Sequence, residues 1–129
     1  MKLRIKGNAL RARLTQGEIR AFAATGQVEE RTEFPGGTAL IYRVRRNDKI
    51  SDISVRYGGN LIEFQIPAAL AERWCTTDLV TLQGTPALAS GSVQVVLEKD
   101  FACLVPREGE DERDHFPHPQ AGAGGLERC

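Results

Sequence analysis

The sequence predicts an α+β fold: a single domain of two β-β-α-β-β halves related by internal duplication. Three observations carry this expectation. The first is a repeat: residues 59–80 fall on residues 7–28 without a gap, so Gly7-Asn8 meets Gly59-Asn60, Leu10 meets Ile62, Leu14 meets Ile66 and Phe22 meets Trp74. The second is the hydrophobic period, which in each half runs at two, switches to a helical stripe, and returns to two. The third is length: 129 residues build one core, and two copies are too few for a solenoid. Eight strands so placed fit either a barrel-like closed sheet or two packed antiparallel sheets.

In the first half, residues 2–6 alternate, with Leu3 and Ile5 on one face and Lys2, Arg4 and Lys6 on the other. Gly7-Asn8 suits a tight hairpin turn. The return strand keeps the alternation, with Leu10, Ala12 and Leu14 inward and Arg11 and Arg13 outward. Thr15-Gln16-Gly17-Glu18 fits a capping box, Ile19, Phe22 and Ala23 give the helix an apolar stripe, and Gly26 is placed to end it. Val28 to Phe34 and Thr38 to Arg45 read as strands around the Pro35-Gly36-Gly37 turn, the second burying Leu40, Tyr42 and Val44.

The second half repeats the plan. Ile53, Val55 and Tyr57 alternate with polar neighbours, Gly59-Asn60 turns the chain, and Ile62, Phe64 and Ile66 point inward. Pro67 takes the place of Thr15 at the first helical position, where its missing amide costs nothing. Leu70, Ala71 and Trp74 make the buried stripe, Leu79 to Leu82 the next strand, and Val93, Val95 and Leu97 the last. Leu40-Tyr42-Val44 pairs best with Val93-Val95-Leu97, one residue out of the earlier register, which places an insertion in the Thr85 to Ser92 loop. The domain is expected over residues 1–105, with halves of about 1–46 and 47–99, followed by an acidic, Pro- and Gly-containing tail over 106–129.

An apolar share of 41% and a charged share of 26% are those of an ordinary globular chain. No apolar run approaches the roughly 20 residues that span a bilayer, and no signal-peptide core follows Met1, so the expectation is a cytoplasmic protein without a membrane segment. Three cysteines without a CxxC pair argue against a disulfide scaffold. The net charge of zero hides a gradient. Residues 1–46 carry ten Lys/Arg against four Asp/Glu (+6), residues 47–99 four against six (−2), and residues 100–129 three against seven (−4).

The opening KLRIKGNALRARLTQGEI, the Glu29-Glu30 strand and the IPAALAERW helix resemble a set of small uncharacterised bacterial proteins over most of the chain. That resemblance implies an α+β cytoplasmic domain and brings no activity with it. Ile66-Pro67 opening a helix that leads to Asp78-Leu79-Val80 is similar to the swapped-hairpin DNA-binding modules of antitoxin and transition-state regulators, which implies a DNA-binding regulator.

The outward cations of the first hairpin are the leading functional feature. Lys2, Arg4, Lys6, Arg11 and Arg13, joined by Arg43 and Arg45, form a basic sheet face expected to attract an anionic small molecule, a protein partner or nucleic acid. The low pI of 6.7 and the lack of interleaved outward aromatics weigh against nucleic acid. Cys103, His115, His118 and Cys129 are ligand types that zinc accepts, but their spacing lacks a close pair. Glu29, Glu30, Glu33 and Glu63 are candidates to gather around a hard cation. For catalysis there is no nucleophile elbow, both histidines lie in the tail, and Cys75 follows Trp74 at a helix C-terminus, where a thiolate is disfavoured. The reading is a non-catalytic binding module.

Overall fold

The computed structural model describes residues 1–101 and Phe116. Its elements run β1 (Lys2–Lys6), β2 (Ala9–Leu14), α1 (Gln16–Thr25), β3 (Gln27–Phe34), β4 (Thr38–Asn47), β5 (Ser54–Gly58), β6 (Leu61–Pro67), α2 (Ala68–Thr76), β7 (Thr81–Gly84) and β8 (Gln94–Lys99). This is the predicted α+β order. The local signals act as expected. Thr15 caps α1 through Glu18 N–H while the Glu18 carboxylate accepts from Thr15 N–H, and Gly26 closes the helix at φ 84°. Gly59 and Asn60 both take positive φ, 57° and 62°, as a tight hairpin turn demands.

The strands form two four-stranded sheets, ordered β1-β2-β8-β7 and β3-β4-β6-β5, with no closed barrel. Neither sheet is wholly antiparallel, which corrects the expectation: β2 and β8 run parallel at one centre, β4 and β6 at the other. Each half therefore gives one hairpin to each sheet; the chain reaches β6 from its parallel neighbour β4 by way of the edge strand β5, and β2 and β8 come from opposite ends of the fold. Exchanging β1-β2 for β5-β6 and β3-β4 for β7-β8 turns one sheet order into the other. Hydrogen bonds outside the sheets repeat in the same way. Gln94 N–H donates to Asn8 O as Ile41 N–H does to Asn60 O, and Lys99 N–H donates to Val80 O as Arg46 N–H does to Gly26 O.

One core serves both sheets and both helices. Ala12, Leu14, Val95 and Leu97 come from one sheet, Val44, Ile62, Phe64 and Ile66 from the other, and all are buried. Phe22 of α1 meets Trp74 of α2 edge-on, ring centroids 6.2 Å apart, and the Trp74 indole donates to Val80 O. Beyond β8, Phe116 N–H donates to Asp100 O and its ring lies against Phe101 and below Lys99 Nζ.

Several expectations at the level of single residues give way. Ile5 and Tyr57 are exposed (56% and 78%) because β1 and β5 are sheet edges whose far ends run past the core. Ala23 is exposed on α1. Pro67 is the N-cap of α2, with φ −56° and ψ 143°, not its first helical residue. Leu79 and Val93 lie just outside their strands. The insertion also moves. Val28 pairs with Val44 as Leu82 pairs with Leu97, so the second half is already longer between α2 and β7, ahead of the Thr85 to Ser92 loop. Among the described residues, no helix is long and apolar enough to cross a membrane.

Candidate functional site

Strand alternation and register build two matching three-by-three grids of side chains, one on each sheet. On the first, the rows are Gln94-Ala9-Lys6, Val96-Arg11-Arg4 and Glu98-Arg13-Lys2. On the second they are Ile41-Leu61-Gly58, Arg43-Glu63-Arg56 and Arg45-Gln65-Ser54. Each grid hollows into a concavity near the hairpin turn. That on the first sheet encloses about 220 Å³ between Arg4, Lys6, Ala9, Leu10, Arg11, Gln94 and Val96. That on the second encloses about 370 Å³ and is lined by Arg43, Arg45, Arg56, Tyr57, Gly58, Leu61 and Glu63.

The first grid is unevenly neutralised. At one end, Arg13 Nε lies 2.6 Å from Glu98 Oε1, and Lys2 Nζ lies 3.5 Å from the buried Asp100. At the other end Arg4 faces Arg11 directly across the hairpin, and like charges in that position repel. Arg11 reaches Glu98 only at 3.5 Å, and Arg4 and Lys6 have no ion-pair partner among the described residues. Among the described residues, no carboxylate lines this concavity.

The second grid has its anion built in. Glu63 is 5% exposed at the centre of its grid. Its Oε2 accepts from Arg43 Nη1 at 3.1 Å and lies 3.3 Å from Arg45 Nε, while Oε1 accepts from Gln65 Nε2 at 2.6 Å. Asn47 Nδ2 in turn donates to Gln65 Oε1 at 2.9 Å, which fixes the amide's orientation. Burial alone would raise the Glu63 carboxyl; the hydrogen bonds from Gln65 and Arg43 and the charge of Arg45 overcome it and hold the group below its usual range.

Of the seven predicted cations, the structure brings Lys2, Arg4, Lys6, Arg11 and Arg13 onto one face. Arg43 and Arg45 do not join them: they lie on β4, in the other sheet, because the first half divides its two hairpins between sheets. The carboxylates do not gather either. Glu29 shares Arg43 with Glu63, Glu33 pairs with Arg31, and Glu30 turns to the opposite face to hold the Met1 ammonium at 2.7 Å. Among the described residues there is no group of three or more His, Cys, Asp or Glu able to hold a metal. Cys103, His115, His118 and Cys129, the zinc candidates, lie outside the described residues. Cys75 packs half-buried against the core, and burial pushes its thiol up, away from nucleophilic use.

Sequence reasoning missed Arg56 and the burial of Glu63. Arg56 stands 52 residues after Arg4, so a positional signal for it was present, but the counterpart of Glu63 at that spacing is Arg11, which is 41% exposed and gives no hint of burial. An arginine and a glutamate on alternating strands look like solvated charges until β4 is laid beside β6. No curated protein and no solved structure matches the chain. The sequence does match one family, over residues 1–120, and the chain accordingly belongs to DUF7009, a family of unknown function.

Proposed function

We propose that this protein is a non-catalytic binding module for a small anionic ligand, held in the concavity of Arg4, Lys6 and Arg11 on the first sheet. The observation that carries this reading is the directly opposed Arg4–Arg11 pair, which meets only the distant Glu98 at 3.5 Å. A bound anion removes the repulsion and accepts charge-assisted hydrogen bonds from both guanidinium groups, the strongest class available to a protein surface. Among the described residues the lining offers cations, Gln94 and aliphatic carbon, but no nucleophile or general base, which favours binding over catalysis. The repeated strand order and the paired hydrogen bonds support the companion reading that the chain is a duplication of one β-β-α-β-β unit.

Titration with inorganic pyrophosphate at low ionic strength tests the site. Binding should weaken as salt rises. Arg4→Ala combined with Arg11→Ala should cost at least about 100-fold in affinity, from two contacts of about 1.5–3 kcal/mol each. Both residues are surface cations without a tight partner, so the melting temperature should hold or rise. An unchanged affinity in the double variant, or no binding by the wild type at low salt, refutes the reading.

A further inference from the structure

Four strands stand at the edges of the two sheets, β1 and β7 of the first and β3 and β5 of the second. An edge leaves a row of backbone N–H and C=O groups open to another chain, and proteins blunt such edges by shortness or by charge. Three of the four are blunted in this way. β7 has four residues and no charge, and β5 has five with Arg56 as its one charge. β1 has five, and its outward side chains are Lys2, Arg4 and Lys6, which repel a second copy of the same strand in any register.

β3 differs in length and in the sign of its charges. It runs eight residues, and residues 31–34 are all exposed. Glu29, Arg31 and Glu33 share its outer face, so the sign alternates along the edge. Arg31 and Glu33 are 59% and 77% exposed and meet each other at 3.4 Å, a pair that water screens. Antiparallel pairing of two such edges about a two-fold axis sets directly opposite side chains on one face. An axis through Arg31 opposes Arg31 to itself and Glu29 to Glu33, and an axis through Glu30 or Glu33 opposes two glutamates. An axis through Thr32 opposes Arg31 of each copy to Glu33 of the other and brings the two Thr32 side chains together. Opposite charges and paired threonines both stabilise a ladder, so the alternation admits one register and rejects its neighbours.

We infer that β3 is a self-association edge: two copies of this chain pair antiparallel through residues 30–34, centred on Thr32. The two four-stranded second sheets then join into one of eight strands, with β3 against β3 at its middle. The exposed Arg31–Glu33 pair of each strand becomes part of a square of four alternating charges across the axis. Neither concavity includes a residue of β3, so the inference stands apart from the anion reading.

Sedimentation velocity on the full chain at low ionic strength, over a concentration series up to about 1 mM, tests the pairing. The wild type should pass from monomer to dimer. Arg31→Glu and Glu33→Arg each set like charges across both sides of the axis, and each alone should weaken the dimer by about tenfold or more. Mixed in equal amounts, the two variants set opposite charges across the axis again, and the mixture should regain the wild-type affinity. Both substitutions fall on exposed side chains, so the melting temperatures of the monomers should stay close together, which separates lost pairing from lost folding. A wild type that stays monomeric up to about 1 mM, as when another segment of the same chain covers this edge, overturns the inference. Undiminished dimers in both single variants place the interface elsewhere and overturn it as well. Weakened single variants whose mixture does not recover overturn the opposition of Arg31 to Glu33.

Discussion

Arg11 and Glu63 hold equivalent places in the two grids and carry opposite charges. A second residue-scale device sits at the chain start. The Met1 ammonium lies 2.7 Å from both Glu18 Oε2 and Glu30 Oε1, joining β1 to α1 and β3. Burial works to lower its pKa, but the hydrogen bonds and charges of the two carboxylates prevail and raise it. A raised folded pKa has a definite sign in linkage: the stabilisation is complete below the unfolded value of about 8 and is lost as pH climbs through the folded one. The melting temperature should therefore fall between pH 7 and pH 10, and by less in Glu30→Gln, which removes one partner while sparing the capping box of Glu18. Parallel wild-type and variant profiles would show that the ammonium contributes nothing.

At the scale of elements, the helices and their caps were legible because the signals are local: Thr15, Glu18 and Gly26 act within a few residues of themselves. The apolar faces of the inner strands were legible, as Leu14, Val44, Phe64 and Leu97 show with no exposure at all. The apolar errors fall on edge strands, where Ile5 and Tyr57 follow the alternation and still find no core above them, and the burial of the polar face of inner strand β6, at Glu63 and Gln65, was not legible. Contacts between elements were not legible. Gly84 of β7 illustrates this, since a Cβ there would stand 2.9 Å from Ile53 Cβ and 3.2 Å from Cγ2, just before β5. Gly84→Ala should thus cost about 1–3 kcal/mol by overpacking, read from the shift in urea midpoint. An unshifted midpoint would mean that Ile53 is not seated against β7.

At the scale of the whole molecule, each sheet is completed by both halves, so neither half holds a sheet of its own. A peptide of residues 1–49 keeps only two separate hairpins, and isolated two-stranded hairpins are marginal in water. It should give the circular dichroism of an unfolded chain, and regain β signal when mixed with residues 50–129. A folded 1–49 fragment would refute this account of the architecture. The charge gradient takes on a spatial meaning here too. The +6 of residues 1–46 is divided, with the hairpin cations on one sheet and Arg43 and Arg45 on the other. The acidic tail lies outside the described residues apart from Phe116.

The sequence by itself determined the order of elements, the ends of the first helix and most of the core, because period, turn chemistry and capping are properties of neighbours along the chain. It also determined which cations share the first hairpin, since a two-residue turn leaves only one register. Only the tertiary structure decided which hairpins share a sheet, and with that the parallel pairing of β4 with β6 that sets Glu63 beside Arg43 and Arg45. Those contacts join residues about twenty apart through burial of a common core, and no local pattern encodes which strand will lie alongside which. A glutamate that alternation assigns to solvent thus becomes the buried centre of an arginine cluster.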